Sequence, residues 1–132
     1  MRLLLDTQSL VWWALGNKRL GKRAAYDIMS PSNQIFVSSL SIFELAVKIR
    51  AQKLNLSIDE LLEFLSKERA QELQYDFWSA QKLTQIPLQK WKDLFDFGLA
   101  AQAAAKQLIL MTADENLLSM DWPELQKIDA RK

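Results

Sequence analysis

The run Arg2-Leu3-Leu4-Leu5-Asp6 constrains this chain more than any other stretch. A short apolar run that stops at a carboxylate reads as a buried strand, and its C-terminal end delivers Asp6 to the mouth of a sheet, where open α/β folds place their sites. Strands buried on both faces belong to parallel sheets, and parallel strands need helical crossovers between them. Helix and strand are therefore expected to alternate along the rest of the chain.

Residues 8–15 carry Leu10, Val11, Ala14 and Leu15 at helical spacing and stop at Gly16-Asn17. Four cations, Lys18, Arg19, Lys22 and Arg23, lead into a helix over residues 24–29, and Ser30-Pro31-Ser32-Asn33 turns the chain. Residues 34–38, β-branched and aromatic, read as the second strand. A serine-rich corner, Ser38, Ser39 and Ser41, can cap the next helix, whose stripe of Ile42, Leu45, Ala46 and Ile49 assigns its buried face and leaves Glu44 and Lys48 off it. Ser57 and Glu60 form a capping box for a helix reaching Leu65. Residues 72–75 are expected as the third strand, with Asp76 capping a helix over 77–84 and an irregular piece over 87–92. An alanine-rich helix over 93–107 can lie close to a sheet. Residues 108–111 then form another buried strand ending at Thr112-Ala113-Asp114, and a brief helix precedes an edge strand that closes near Ile128. The sum is one α/β domain over residues 1–132, a central parallel sheet of four or five strands between helical layers.

Missing residue types narrow the chemistry. The chain has no cysteine and no histidine, which removes disulfides, thiolates and the commonest general base and transition-metal ligand. A net charge of +1 supplies no overall pull toward nucleic acid, so such binding must come from local patches. No apolar run approaches the roughly 20 residues a bilayer crossing requires, and Asp6 interrupts the one stretch that could imitate a signal peptide. A cytoplasmic location is expected.

Carboxylates remain. Asp6 ends the first strand, Glu44 lies near the start of the helix after the second, Asp93 and Asp96 open the alanine-rich helix, and Asp114 ends a later strand. All five fall at one end of a parallel sheet. Acids brought that close raise one another's pKa and need protons or a cation beside them, for which a hard divalent ion is suited. Plain structural roles compete: helix caps and dipole partners for Asp93, Asp96 and Asp114, and an ion pair with Lys48 for Glu44. Asp6, ending a buried strand, has the least structural purpose.

The motifs Leu3-Leu4-Leu5-Asp6-Thr7, Ser41-Ile42-Phe43-Glu44-Leu45-Ala46-Val47-Lys48, Asp93-Leu94-Phe95-Asp96 with Ala101-Gln102-Ala103, and Thr112-Ala113-Asp114 resemble those of PIN-domain proteins. They are most similar to the VapC toxins of bacterial toxin–antitoxin pairs, in order and in spacing, over nearly the whole chain. The resemblance implies a PIN-like α/β/α sandwich and a Mg²⁺- or Mn²⁺-dependent endoribonuclease that leaves 5′-phosphate and 3′-hydroxyl ends. It also implies a homodimer, silenced by a VapB-type antitoxin that inserts a C-terminal segment into the active-site groove. Residue by residue, the four-acid site falls on Asp6, Glu44, Asp96 and Asp114, with Asp93 as an additional acidic position at the metal. Thr7 and Thr112 match positions whose hydroxyls orient a carboxylate or a bound water. Gln8 and Lys48 fall beside the substrate. Two positions depart from the pattern: Gln8 stands where close relatives often carry His, and Phe97 where they tend to carry Arg.

Other readings share part of this pattern. A phosphatase of the haloacid-dehalogenase type also begins with a strand ending in Asp, but it needs a second Asp two residues on, where this chain has Gln8. A catalytically weak PIN fold serving as an RNA- or protein-binding module is the alternative function. The cations Lys18, Arg19, Lys22, Arg23, Lys48 and Arg50 could hold an RNA backbone, and Trp12, Trp13 and Trp91 could stack on bases. Because Trp12 and Trp13 cannot both face inward on one helix, one of them is expected to meet a partner.

Overall fold

The computed structural model describes residues 1–87 and 93–132. β1 (Arg2–Leu5) is the middle strand of a five-stranded, all-parallel sheet ordered β3-β2-β1-β4-β5, with β2 at Gln34–Ser38, β3 at Gln71–Leu73, β4 at Ile109–Thr112 and β5 at Gln126–Asp129. Side chains alternate across a strand, and β1 fills both faces. Leu4 enters one core with Phe36 and Leu110, whereas Leu3 and Leu5 enter the other with Ile35, Val37 and Met111. The three leucines are wholly buried, each contributing roughly 1.5–3 kcal/mol of apolar burial.

Helices cover the sheet on both sides. On the Leu3 and Leu5 face lie α1 (Thr7–Leu15), α2 (Lys22–Met29), α3 (Ser39–Arg50) and α4 (Ile58–Lys67), through Leu10, Ile28, Leu45, Leu61 and Leu65. The short α5 (Phe77–Lys82) packs on α6 (Leu94–Lys106), which covers the Leu4 face together with the single turn of α7 (Glu115–Leu118). Every residue of α6 from 97 to 104 is buried. Four of them are alanines, so the helix backbone comes close to its neighbours. At Gly98 the approach is closest: a Cβ there would stand 2.6 Å from Leu40 Cδ2, and the Tyr75 hydroxyl donates to the Gly98 carbonyl at 3.0 Å.

Several expectations shift. The third strand occupies Gln71–Leu73 rather than 72–75, because Tyr75 leaves the ladder and gives its amide to the Ser39 hydroxyl at 3.1 Å. The cap of α3 is Ser38, one of the three serines expected for it, whose hydroxyl accepts the Leu40 amide, but the buried face of that helix is Ser41, Glu44 and Leu45, with Ala46 exposed. Its polar side turns inward because that side faces the other acids. Trp12 is buried and Trp13 packs edge-on against Phe64 with ring centroids 4.8 Å apart. Trp13 stays partly exposed, and Trp12 lines a crevice that also holds Asp6. The expectation for Trp91 and the irregular connector falls on 88–92, outside the described residues. Phe97, at the departing position, is a core residue of α6. Among the described residues no helix is long and apolar enough to cross a membrane.

Candidate functional site

Strand order reverses at β1: the chain lays β2 and β3 to one side, then β4 and β5 to the other. Such a reversal opens a crevice beyond the C-terminal strand ends. Asp6 follows β1 and Asp114 follows β4, on the two sides of it. Asp6 is 2 % exposed, and both of its carboxylate oxygens are engaged. The Ser9 amide donates to Oδ1 at 2.8 Å, making Asp6 the N-cap of α1, and the Thr112 hydroxyl donates to Oδ2 at 2.6 Å. The same hydroxyl accepts the Asp114 amide at 3.0 Å, so one side chain ties the two strand ends together.

Capping and placement turn out to be one device. Asp114 Oδ1 accepts the Leu117 amide at 3.0 Å and caps α7, while Asp93 Oδ1 accepts the Phe95 and Asp96 amides at 2.9 and 3.3 Å and caps α6. Helix N-termini carry partial positive charge that favours acids beside them. The plain structural roles and the clustering are therefore both realised, and Asp6 does have a structural purpose, as a cap.

The crevice has a volume of about 570 Å³ and is lined by Asp6, Thr7, Gln8, Glu44, Lys48, Asp93, Asp96 and Asp114, with Val11, Trp12, Leu45, Lys53, Leu54 and Ala113 completing the walls. Thr112 stands behind Asp6, fully buried. Burial pushes the Asp96 carboxyl up to about 7, reinforced by the negative charges of Asp93, Asp6, Asp114 and Glu44. Asp6 is also raised by burial, partly opposed by its bonds from Ser9 and Thr112. Glu44 is buried, with Oε2 bound to Lys48 Nζ at 2.7 Å and Oε1 without any hydrogen-bond partner. That bond, with smaller effects of Asp93 and Asp96, raises Lys48 in turn. Among the described residues, no three acids stand at separations that would hold one ion. They share a crevice and an electrostatic field.

Every residue expected at the site thus lies in the crevice or directly behind it. Sequence reasoning missed Ser9, which fixes Asp6, and Ser41, whose hydroxyl accepts the Thr7 hydroxyl at 3.1 Å across the α1–α3 junction. It also missed Lys53. Ser41 carried a signal as a possible cap, whereas Ser9 had none and Lys53 stood in a polar connector with nothing to mark it.

Solved structures share this fold at low identity. A chain of VapBC2 from Rickettsia felis, bound to a DNA fragment from their promoter, has a TM-score of 0.74 at 18% identity, covering 98% of each chain. VapBC-5 from Mycobacterium tuberculosis, a member of the VapBC family of toxin-antitoxin systems, gives 0.66 at 18% identity, covering 97% of this chain and 98% of that one. VapBC-1 from nontypeable Haemophilus influenzae gives 0.65 at 17%, covering all of both chains. No curated protein matches the sequence. The family model of the PIN domain matches residues 3–123, nearly the full length, and with the parallel sheet and its acid-lined crevice in place the chain belongs to the PIN-domain family.

Proposed function

We propose that this chain is a VapC-like toxin, a Mg²⁺- or Mn²⁺-dependent endoribonuclease that hydrolyses RNA phosphodiester bonds in the crevice beyond β1 and β4. One observation carries the reading: carboxyl groups from four separate stretches line a single crevice, and their crowding with burial keeps Asp96 protonated up to about pH 7. The donor set is oxygen only, which suits a hard divalent ion. Glu44 Oε1, buried and unpartnered, is the kind of polar atom that a ligand from outside the protein satisfies. Asp6, Glu44, Asp96 and Asp114 would hold the ion, with Asp93 beside Asp96.

An ion at that place supplies a water of lowered pKa and charge stabilisation at the phosphate. The chain's own residues provide the frame. Ser9 and Thr112 hold Asp6 in one orientation, the Thr7–Ser41 bond joins α1 to α3 at the crevice wall, and Lys48 balances the buried charge of Glu44. Gln8, exposed at the rim, is free to meet the substrate. By kinship with toxin–antitoxin systems, the protein acts as a single domain over residues 1–132, forms a homodimer, works in the cytoplasm and is silenced by a VapB-type antitoxin.

The purified chain should cleave RNA with Mn²⁺ or Mg²⁺ present and stop in EDTA. Asp6→Asn or Asp96→Asn should abolish cleavage while the circular dichroism spectrum is unchanged. The competing reading, a binding module with little catalysis, draws on the spacing of the acids, no three of which, among the described residues, stand close enough to hold one ion. Absence of cleavage of any RNA, with no heat of Mn²⁺ binding by calorimetry, would decide for it.

A further inference from the structure

Four helices of this fold end in the same backbone device, α1 at Gly16 (φ 63°, with the Asn17 amide reaching the Trp12 carbonyl at 2.8 Å) and three others at non-glycine residues. Gln52 after α3, Arg69 after α4 and Gln107 after α6 turn left-handed, with φ of 60°, 59° and 56°. In each case that residue's amide reaches three residues back and the next amide reaches five back: Lys53 to Lys48, Ala70 to Leu65, and Leu108 to Ala103, at 2.9, 3.0 and 2.9 Å. The closure brings together the side chains at the two ends of the longer bond, commonly as an apolar contact. Leu65 with Ala70, and Ala103 with Leu108, keep that habit and belong to the two cores. At the end of α3 the two positions hold lysines instead.

Both lysines line the acid crevice. Lys48 is engaged by Glu44, whereas Lys53 is exposed, and among the described residues no carboxylate pairs with it. The acids opposite would repel every phosphate of a nucleic-acid strand, so a strand entering this crevice needs a cationic wall to follow. Resting on the nuclease reading above, we propose that Lys53, with Lys48 next to it, binds a backbone phosphate of single-stranded RNA adjacent to the bond that is cut. The helix ending fixes the site by placing both cations on the crevice wall.

Fluorescence anisotropy of a labelled single-stranded RNA of about 12 nucleotides tests this. It is run in EDTA, so that binding is read without cleavage, over salt from about 50 to 200 mM. Lys53→Gln should weaken binding about threefold to tenfold and lower the slope of log affinity against log salt by about 0.7, the value of one phosphate contact on a single strand. Lys53→Arg should keep both near wild type, and Lys67→Gln, on the outer surface of α4, should alter neither. The lysine site is overturned if Lys53→Gln leaves affinity and slope unchanged while the wild type binds, or if Lys67→Gln lowers both equally. No RNA binding by the wild type in EDTA would overturn the lysine site alone, whereas the nuclease reading stands or falls on Mn²⁺-dependent cleavage by the same preparation.

Discussion

Thr112 and Asp6, 106 positions apart in the chain, meet at 2.6 Å behind the crevice, and the Thr112 hydroxyl spends its proton on Asp6 while its oxygen takes the Asp114 amide. Thr112→Val keeps the shape and removes both bonds, leaving Asp6 Oδ2 and the Asp114 amide short of a partner. The expected loss is about 1–3 kcal/mol of stability, read by urea denaturation, with cleavage falling as well. Thr112→Ser, which restores the hydroxyl, should recover most of both.

Crowding at Asp96 makes stability depend on pH in a stated direction. Its carboxyl holds a proton to about 7 in the fold against an ordinary value of 3.8. Between those values the native state carries a proton the unfolded chain has released, so stability falls as pH rises from about 4 to about 7 and stays low above it. Asp6 shifts in the same direction. Asp76 and Asp129, drawn down to about 2 by Lys106 and Arg131, add stability as pH rises, but complete that below about pH 4. In EDTA, Asp96→Asn should therefore raise the melting temperature at pH 8 and leave it nearly unchanged at pH 4. An equal melting temperature for variant and wild type at pH 8 would mean that the acids do not strain one another.

How much of this was legible in the sequence follows from where the information sits. The Leu3-Leu4-Leu5 run announced a strand with no polar face, and strand–helix alternation then put the acids at one sheet end without any contact being known. Glu44 was different. Counting apolar residues on α3 placed it outside the buried stripe, yet it is buried because that side of the helix closes over a polar crevice, which periodicity cannot weigh. One of Trp12 and Trp13 was expected to seek a partner, and for Trp13 α4 supplies Phe64 from more than fifty residues away. Asp6 looked purposeless as structure because the residue three positions on, Ser9, whose amide it caps, is neither the Glu nor the Gln of the usual capping box.

The pair of Lys48 with Glu44 offers a test of what the crevice accommodates. Glu44 is almost wholly buried while the Lys48 side chain is about half exposed. Lys48→Met therefore leaves a buried acid uncompensated, at a cost of about 1–2 kcal/mol after allowing for screening of the exposed partner. Thermal melts in EDTA should register the loss. Adding Mn²⁺ should return part of it, since a cation beside Glu44 replaces the missing ammonium. If Mn²⁺ stabilises wild type and variant equally, Glu44 takes no part in binding it.

Metal affinity itself should carry the signature of Asp96. A carboxyl that is protonated below about pH 7 must release its proton before it can ligate, so binding and deprotonation compete there. Above that pH the carboxylate is already ionised and affinity should level off. Below it, apparent Mg²⁺ or Mn²⁺ affinity should drop by up to about tenfold per pH unit, one proton being exchanged for each ion bound. Isothermal titration at pH 6 in two buffers of different ionisation enthalpy measures the protons released, and close to one is expected for the wild type. Asp96→Asn should bind more weakly and release about one proton fewer. Proton release that is unchanged in Asp96→Asn would assign the linkage to another acid, and a flat affinity from pH 5 to 8 would place the ion away from Asp96 altogether.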